Sequence, residues 1–236
     1  MRDKAWMENT SWRNDDFLTG KIRGVTVIFP GLNNRYRGDD ATQLDMSLGA
    51  SGVLTVGPYY GPWSWMNRLA RAFVDELIAA VYKHYGLSDD IPLVSCGGSM
   101  GGCAALLYCR YGARKPVGCD VIYPVCDVVT HFTERPDLPP TFYNAFYGYP
   151  EPMEEILREH SPLHQAALMP DIPYNFTHGL ADDRVNKSIH SDRMVAELRR
   201  LGRNVAYTEV PHMKHGINIP PSVWQQRLEF ITGLLA

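Results

Sequence analysis

The sequence predicts an α/β fold in which a mainly parallel sheet is flanked by helices. From Gly24 onward, short continuous apolar segments alternate with amphipathic ones, and a glycine-rich turn links one apolar segment to the next helix. Continuous apolar runs are typical of parallel strands that helices cover on both faces. Strand–helix alternation favours right-handed crossovers, so the loops after the strands meet at the carboxyl edge of the sheet.

Each element follows from its own pattern. Apolar residues recur at three- and four-residue steps in the clearest helix, at Leu69, Phe73, Leu77, Ala80 and Val81. The predicted helices are Trp65–Tyr85, Met100–Tyr111, Asn186–Leu201 and Ser222–Leu235. The predicted strands are Val25–Phe29, Gly52–Val56, Pro92–Cys96, Asp120–Tyr123, Tyr174–Thr177 and Val205–Val210.

Length and composition predict a single domain over residues 1–236. A chain of 236 residues that is 45% hydrophobic can bury one sizeable core. Residues 1–20 are predicted as an N-terminal arm. Residues 128–167, rich in proline and aromatic residues, interrupt the alternation. We interpret them as a lid-like insertion, because a long aromatic connection is rarely disordered.

Charge and hydropathy exclude several function classes. The net charge of −3 offers no basic surface for nucleic acid, and no apolar run is long enough to span a bilayer. The first residues lack the apolar core of a signal peptide. We therefore expect a cytoplasmic protein that binds a small-molecule substrate but neither nucleic acid nor membrane. A homo-oligomer is an open alternative.

The cysteines are expected to be buried thiols. Their number, five, is odd, they include no C-x-x-C pair, and their neighbours are apolar. This pattern argues against a disulfide framework and against a zinc site. No metal and no cofactor is predicted.

The sequence Gly97-Gly98-Ser99-Met100-Gly101 follows a predicted strand and opens a predicted helix. G-x-S-x-G in this context is typical of a nucleophile elbow, where a sharp turn exposes the serine hydroxyl and the helix N-terminus favours negative charge. The alternative is a purely structural turn. No phosphate-binding glycine pattern fits the segment.

A nucleophilic serine needs a base, and the base needs an orienting acid. The segment His178-Gly179-Leu180-Ala181-Asp182-Asp183-Arg184-Val185 follows one predicted strand, and Pro211-His212-Met213-Lys214-His215-Gly216 follows the last. Both lie in loops after strands, in the order serine, acid, histidine. Asp182 and Asp183 both remain candidates for the acid, and His212 and His215 for the base, whereas His178 is expected to be structural.

These motifs resemble those of α/β-hydrolases, especially the prolyl-oligopeptidase-like group. CGGSMGG, HGLADDRV, SPLHQA and HMKHG are each similar to segments of that group, over roughly Gly24 to the C-terminus. The resemblance implies the α/β-hydrolase fold, with Ser99 as nucleophile, Asp182 as acid and His215 as base. It also implies an oxyanion hole formed by the backbone N–H groups of Met100 and of Leu32, with Asn33 as the alternative to Leu32.

Aromatic residues after the second predicted strand indicate a substrate pocket. Aromatic side chains at a pocket mouth can hold an acyl chain or a sugar face, although each of them can also pack in the core. The predicted pocket residues are Asn33, Tyr59, Tyr60, Trp63, Trp65 and Phe146.

These features together predict a serine hydrolase, and most specifically a carboxylesterase that cleaves small esters, such as acetyl or feruloyl esters. An aminopeptidase or acyl-peptide hydrolase is the alternative within the same group. A non-catalytic ligand-binding relative is the alternative from another class. Fold does not determine substrate, so the sequence leaves this choice open.

Overall fold

A mainly parallel sheet forms the centre of the molecule. The computed structural model describes residues 4–33 and 41–235, and seven strands in these ranges form one sheet in the order β1-β3-β2-β4-β5-β6-β7. Only β1 runs antiparallel to its neighbour. The strands are β1 Ser11–Arg13, β2 Gly24–Phe29, β3 Val53–Pro58, β4 Leu93–Gly98, β5 Gly118–Ile122, β6 Tyr174–Gly179 and β7 Val205–Val210.

Helices cover both faces of this sheet. They are α1 Lys4–Thr10, α2 Gln43–Ala50, α3 Arg68–His84, α4 Met100–Tyr111, α5 Val128–Glu134, α6 Leu138–Ala145, α7 Met153–Glu159, α8 Pro162–Gln165, α9 Ser191–Arg200 and α10 Pro221–Gly233. Helices α2 and α10 share one core cluster with residues of β3 and β4. A larger cluster on the opposite face includes α3, α4 and α9.

Alternate side chains of the buried strands supply these two cores. Val25, Val27 and Phe29 point to the larger cluster, whereas Ile28 packs against the smaller one. This division follows from the two-residue period of a strand. Because both faces are apolar, the central strands read as continuous apolar runs in the sequence. The predicted parallel sheet with flanking helices is confirmed.

The N-terminal residues contribute elements that the sequence patterns did not indicate. From Lys4 onward the predicted arm forms α1 and the edge strand β1, which pairs with β3. Asn14 anchors the chain beyond β1, because its buried side chain donates to the Asp45 and Val53 carbonyls at 2.9 and 3.2 Å. A three-residue strand is too short for periodicity to indicate it.

The predicted lid is a layer of short helices, α5 to α8, packed on the core. Leu138 and Phe142 of α6 are fully buried. Phe142 stacks on Trp65 with ring centroids 4.1 Å apart, and the Trp65 Nε1–H donates to Thr141 Oγ1 at 2.9 Å. The proline and aromatic residues that mark this segment in the sequence therefore belong largely to helices and their packing.

The five cysteines are buried and unpaired, as predicted. Among the described residues, no helix combines the length and the apolar character needed to cross a lipid bilayer.

Candidate active site

Ser99 occupies the turn between β4 and α4 in a conformation that non-glycine residues rarely adopt. Its φ and ψ are 58° and −127°, and its backbone N–H donates to the Ile122 carbonyl at 3.2 Å. Its carbonyl oxygen accepts from the Cys103 and Val125 N–H groups. Such outliers cluster at functional sites, where the surrounding contacts compensate their cost. The geometry is that of the predicted nucleophile elbow.

Two glycines make this turn sterically feasible. A Cβ at Gly97 would lie 2.2 Å from the Gly101 carbonyl oxygen, and a Cβ at Gly101 would lie 2.1 Å from the Phe29 carbonyl oxygen. Both separations are far below van der Waals contact. The glycines of the G-x-S-x-G pattern are therefore required because the first turn of α4 packs directly against the ends of β4 and β2.

His215 and Asp182 form a hydrogen-bonded pair. His215 Nδ1–H donates to Asp182 Oδ2 at 2.8 Å, and the other carboxylate oxygen accepts the backbone N–H groups of Arg184 and Val185 at 2.8 and 3.0 Å. The Asp182 side chain is 1% exposed and that of His215 19%. Asp182 is thus held rigidly by its loop, and its bond to Nδ1 leaves His215 Nε2 available for proton transfer.

His178 is a second partner of the Asp182 carboxylate. Its Nε2 lies 3.3 Å from Asp182 Oδ2 and 3.1 Å from the Val185 carbonyl oxygen, while its Nδ1 contacts Ser191 Oγ at 2.7 Å. Burial acts to raise the pKa of Asp182, but the hydrogen bonds from His178 and His215 outweigh it and hold that pKa well below its ordinary value. The carboxylate therefore stays ionised at neutral pH. His178 was expected to be structural, but its contact with Asp182 was not anticipated.

The structure separates the candidates that the sequence left open. The Asp183 side chain is 72% exposed and faces Arg184 at 3.9 Å. His212 is exposed at the start of its loop, with φ 60°. Asp182 and His215, rather than these neighbours, are the acid and the imidazole that the fold brings together.

Ser99 and His215 line one cavity of about 630 Å³ at the carboxyl edge of the sheet. Tyr123, directly after β5, also lines it and packs on the His215 ring with centroids 4.5 Å apart. Burial raises the pKa of the Tyr123 hydroxyl, so it stays neutral beside the imidazole. The aromatic face restricts the orientation of His215 in addition to the Asp182 hydrogen bond.

The backbone N–H groups of Met100 and Leu32 have no described backbone acceptor. Met100 is the first residue of α4, where N–H groups have no partner within the helix. In the loop after β2, the Asn33 N–H donates to the Pro62 carbonyl at 3.0 Å, whereas no described backbone carbonyl accepts the N–H of Leu32. Leu32 lines the cavity beside Ser99. The structure thus favours Leu32 over Asn33 as the second donor.

Most of the aromatic residues predicted to form the pocket are buried in the core. Asn33 lines the cavity, and its Oδ1 accepts from the Nε1–H of the half-exposed Trp63 at 2.5 Å. The described lining of the cavity does not include the other predicted pocket residues. Tyr60, Trp65 and Phe146 are buried, and Tyr60 donates to the Pro30 carbonyl at 2.8 Å. Tyr59 is half-buried, and its backbone N–H donates to the Thr10 carbonyl at 2.9 Å.

His131, Glu134 and His190 form one further cluster with metal-ligand side chains, since their ligand atoms lie within 4.8 Å of one another. His190 Nδ1 accepts the backbone N–H groups of Cys126 and Asp127 at 3.2 and 3.1 Å, so its proton is on Nε2, which donates to Glu134 at 3.0 Å. His131 Nδ1 contacts the same carboxylate oxygen. With both nitrogens of His190 engaged, this geometry fits a hydrogen-bond network better than a metal site.

Family comparison agrees with this geometry. Residues 66–235 match the model of the prolyl oligopeptidase family. This match covers more than half of the chain, including Ser99, Asp182 and His215. The chain belongs to the prolyl oligopeptidase family. The resemblance inferred from the motifs is thus confirmed at the family level, although no curated protein matches the chain significantly.

Solved structures related to this family member show its fold. A puromycin-hydrolysing peptidase of Mycobacterium tuberculosis is 18% identical with a TM-score of 0.74, over 92% of this chain and 35% of the peptidase. The acylaminoacyl peptidase of Pyrococcus horikoshii is 14% identical with a TM-score of 0.76, over 94% and 39%. A lipase in its open form is 15% identical with a TM-score of 0.67, over 95% and 93%.

The chain therefore spans little more than a third of the length of the two peptidases. It has the α/β-hydrolase fold, as predicted, and its family is one of serine hydrolases. The neighbours include both peptidases and esterases, so the likeness leaves the substrate class undecided.

Proposed function

We propose that this protein is a carboxylesterase that cleaves small esters through an acyl-enzyme on Ser99. The observation that carries the proposal is the convergence of three groups in one place. Ser99 and His215 line the same cavity, and His215 is held by the buried carboxylate of Asp182. Serine, histidine and carboxylate in this relation are the parts needed to activate a hydroxyl nucleophile.

In the proposed reaction, the Ser99 hydroxyl attacks the ester carbonyl while His215 Nε2 takes its proton. The resulting imidazolium is stabilised by Asp182, which remains ionised because its pKa lies well below the ordinary range. His215 then gives the proton to the departing alcohol, which leaves the acyl group on Ser99. Water, activated by the same histidine, releases the acid and restores the serine.

The negative oxygen that forms during attack needs donors aimed at it. The backbone N–H groups of Met100 and Leu32 are the proposed pair, supported by the engagement of the Asn33 N–H with Pro62. Removal of one such donor from a hydrolase costs about 10² to 10³ in kcat. Because both donors here belong to the backbone, side-chain substitution leaves them in place.

The size and lining of the cavity support small esters as substrates. A volume of about 630 Å³ lies in the range of pockets that take small-molecule ligands. Ile28, Leu44 and Trp224 supply apolar walls. The second candidate, an aminopeptidase or acyl-peptide hydrolase, is favoured by the family match. Both activities would use the same three catalytic groups.

Substitution of the nucleophile tests the reaction. A fluorophosphonate probe is expected to label the wild-type protein at Ser99 and not the Ser99→Ala variant. Nitrophenyl esters of increasing acyl length, assayed beside aminoacyl-nitroanilides, separate the two candidate activities. We expect turnover of the short esters and its loss by at least about a thousandfold in Ser99→Ala.

Each contrary outcome has a definite meaning. Full ester turnover by Ser99→Ala would remove Ser99 from the mechanism. Efficient anilide cleavage with poor ester cleavage would favour the peptidase candidate. A folded protein that is not labelled and turns over no substrate would be a non-catalytic relative.

A further inference from the structure

The described lining of the cavity beside Ser99 carries positive charge. Arg135, Arg184 and Arg227 line it, and none of the described lining residues is Asp or Glu. Arg135 binds Asp137 through two hydrogen bonds of 3.1 and 2.9 Å, which occupy its fork. Arg184 is 63% exposed at the surface. Arg135 is thus already paired and Arg184 is exposed, whereas the third arginine, Arg227, is buried.

Arg227 is fixed beneath the cavity by a buried ion pair. It lies on α10 with 4% of its surface exposed, and its Nε–H donates to Asp120 Oδ2 at 2.7 Å. Asp120 of β5 is fully buried, and its other oxygen accepts from Asn175 Nδ2 at 2.7 Å. The guanidinium is thus attached to two central strands, β5 and β6, and cannot swing away as a surface arginine does.

The guanidinium of Arg227 lies over the Trp224 ring, 5.3 Å from its centroid, and its terminal amino groups have no described hydrogen-bond acceptor. Among the described residues, the hydrogen bond to Asp120 uses only Nε, and no acceptor binds the two terminal nitrogens. These nitrogens are also not among the buried unpartnered atoms, and the residue lines the cavity. Their N–H groups therefore reach the cavity space. They are therefore available to an acceptor that enters the cavity.

We propose that the cavity selects substrates that carry a carboxylate group, which Arg227 binds beside the ester undergoing attack. The proposal rests on the proposed function, since it names the substrate class for the same site. A planar guanidinium fork matches the two oxygens of a carboxylate and binds them with charge-assisted hydrogen bonds. The exposed Arg184 adds a positive field at the same cavity.

Preorganisation makes this contact selective. Asp120 already holds the guanidinium, so an incoming carboxylate does not have to order a flexible side chain. A neutral substrate of the same shape would leave the donors poorly paired and would be disfavoured. A hydrogen bond to a charged group contributes enough free energy for a preference of roughly 10- to 100-fold.

Binding to the Ser99→Ala variant tests the proposal without depending on turnover. Monomethyl succinate and methyl succinamate have nearly the same shape, but only the first carries a carboxylate. O-Acetylglycolate and O-acetylglycolamide form a second pair, with the charge on the alcohol side of the ester. By calorimetry we expect the carboxylate member of at least one pair to bind at least about tenfold more tightly.

A double substitution assigns this preference to Arg227. Arg227→Met together with Asp120→Asn removes both charges at once, which avoids an unpaired buried carboxylate and keeps an acceptor for Asn175. In the Ser99→Ala background the carboxylate preference is expected to fall to about onefold. The matched control is Arg114→Met with Asp89→Asn, which removes an ion pair of 2.6 Å outside the cavity and should keep the preference. Circular dichroism and thermal unfolding verify that each variant is folded.

Each outcome decides the proposal. Equal affinities within both pairs, binding of neither member at millimolar concentration, or a preference that survives the Arg227 substitution overturns it. Fluorophosphonate labelling distinguishes this failure from that of the proposed function. A protein that is labelled but shows no carboxylate preference would support the proposed hydrolase and contradict the carboxylate site. A protein that is not labelled but prefers the carboxylates would support the carboxylate site and contradict the proposed hydrolase.

Discussion

At the scale of single residues, the site depends on which histidine reaches the Asp182 carboxylate. His215 does so at 2.8 Å, while His212 lies exposed three positions earlier. We expect His215→Ala to lower kcat by at least about a thousandfold, because His215 is the proposed base. His212→Asn should lower kcat by about tenfold or less. Asn is the suitable replacement because it tolerates the φ of 60° at this position.

Steady-state ester hydrolysis measures both variants. The labelling rate of Ser99 by the fluorophosphonate provides a second measure, since it also requires an activated hydroxyl. If His212→Asn lost more activity than His215→Ala, the pairing of His215 with Asp182 would be structural rather than catalytic.

At the scale of elements, the contact between α4 and the strand ends positions Ser99. Replacement of Gly101 by Ala would place a Cβ 2.1 Å from the Phe29 carbonyl oxygen, so α4 or β2 must shift. Overpacking of this kind costs about 1–3 kcal/mol, and the shift should also move Ser99 away from His215. We expect both a lower free energy of unfolding and a loss of most ester turnover. Urea unfolding and kinetics measure the two effects.

Gly233 at the end of α10 is the matched control. Apart from its chain neighbours and its own helix backbone, no described atom lies within 4 Å of a Cβ built there, and its φ is not positive. Gly233→Ala should therefore leave turnover intact and raise stability by up to about 1 kcal/mol, the difference in helix propensity. Normal turnover and stability in Gly101→Ala would show that the elbow adapts without strain.

A second contact between elements joins α5 to the start of α9 through the His131–Glu134–His190 cluster. Burial acts to raise the pKa of Glu134, but hydrogen bonds from both histidines lower it to about 2. Glu134→Gln removes this charged acceptor, and we expect a loss of about 1–3 kcal/mol at pH 7 by urea unfolding. Glu154→Gln, in an exposed i,i+4 ion pair with Arg158, is the control and should change stability by about 0.5 kcal/mol or less.

The same cluster predicts the response to metal. Because both nitrogens of His190 are engaged in hydrogen bonds, Zn²⁺ should not raise the unfolding temperature of the wild-type protein. A rise that depends on zinc concentration and disappears in Glu134→Gln would instead identify a metal site.

At the scale of the whole molecule, the helical layer α5 to α8 is built into the core of the α/β domain. Phe146 is buried against Phe142 and His160, whereas Trp63 is 38% exposed and donates to Asn33, which lines the cavity. Phe146→Ala is therefore expected to cost about 3–5 kcal/mol and to leave the acyl-chain preference unchanged. Trp63→Ala should do the reverse, with a small change in stability and an altered preference. Urea unfolding and the ester chain-length series measure both.

A changed acyl preference in Phe146→Ala, without loss of stability, would restore the idea of a pocket formed by this layer. Equal behaviour of the two variants would mean that neither aromatic residue contacts substrate.

The sequence by itself determined those features that depend on local pattern. Strands that are buried on both faces appear in the sequence as continuous apolar runs, so the parallel sheet was predictable from the sequence pattern. The glycines of the G-x-S-x-G segment indicate a turn in which a Cβ would collide with the backbone. The helix that follows, α4, has the bounds predicted for it. Family resemblance supplied the choice of Asp182 and His215, since local pattern left Asp183 and His212 open.

Only the tertiary structure decided which side chains face the cavity. An aromatic residue gives the same local signal whether it lines a pocket or packs in a core, so the sequence could not show that Trp65 and Phe146 are buried. The engagement of the Asn33 N–H with Pro62 depends on two loops meeting. Arg227 and Asp120 are 107 positions apart, and nothing near either residue indicates the other. Such contacts arise from the packing of α10 on the sheet, which no short window of sequence encodes.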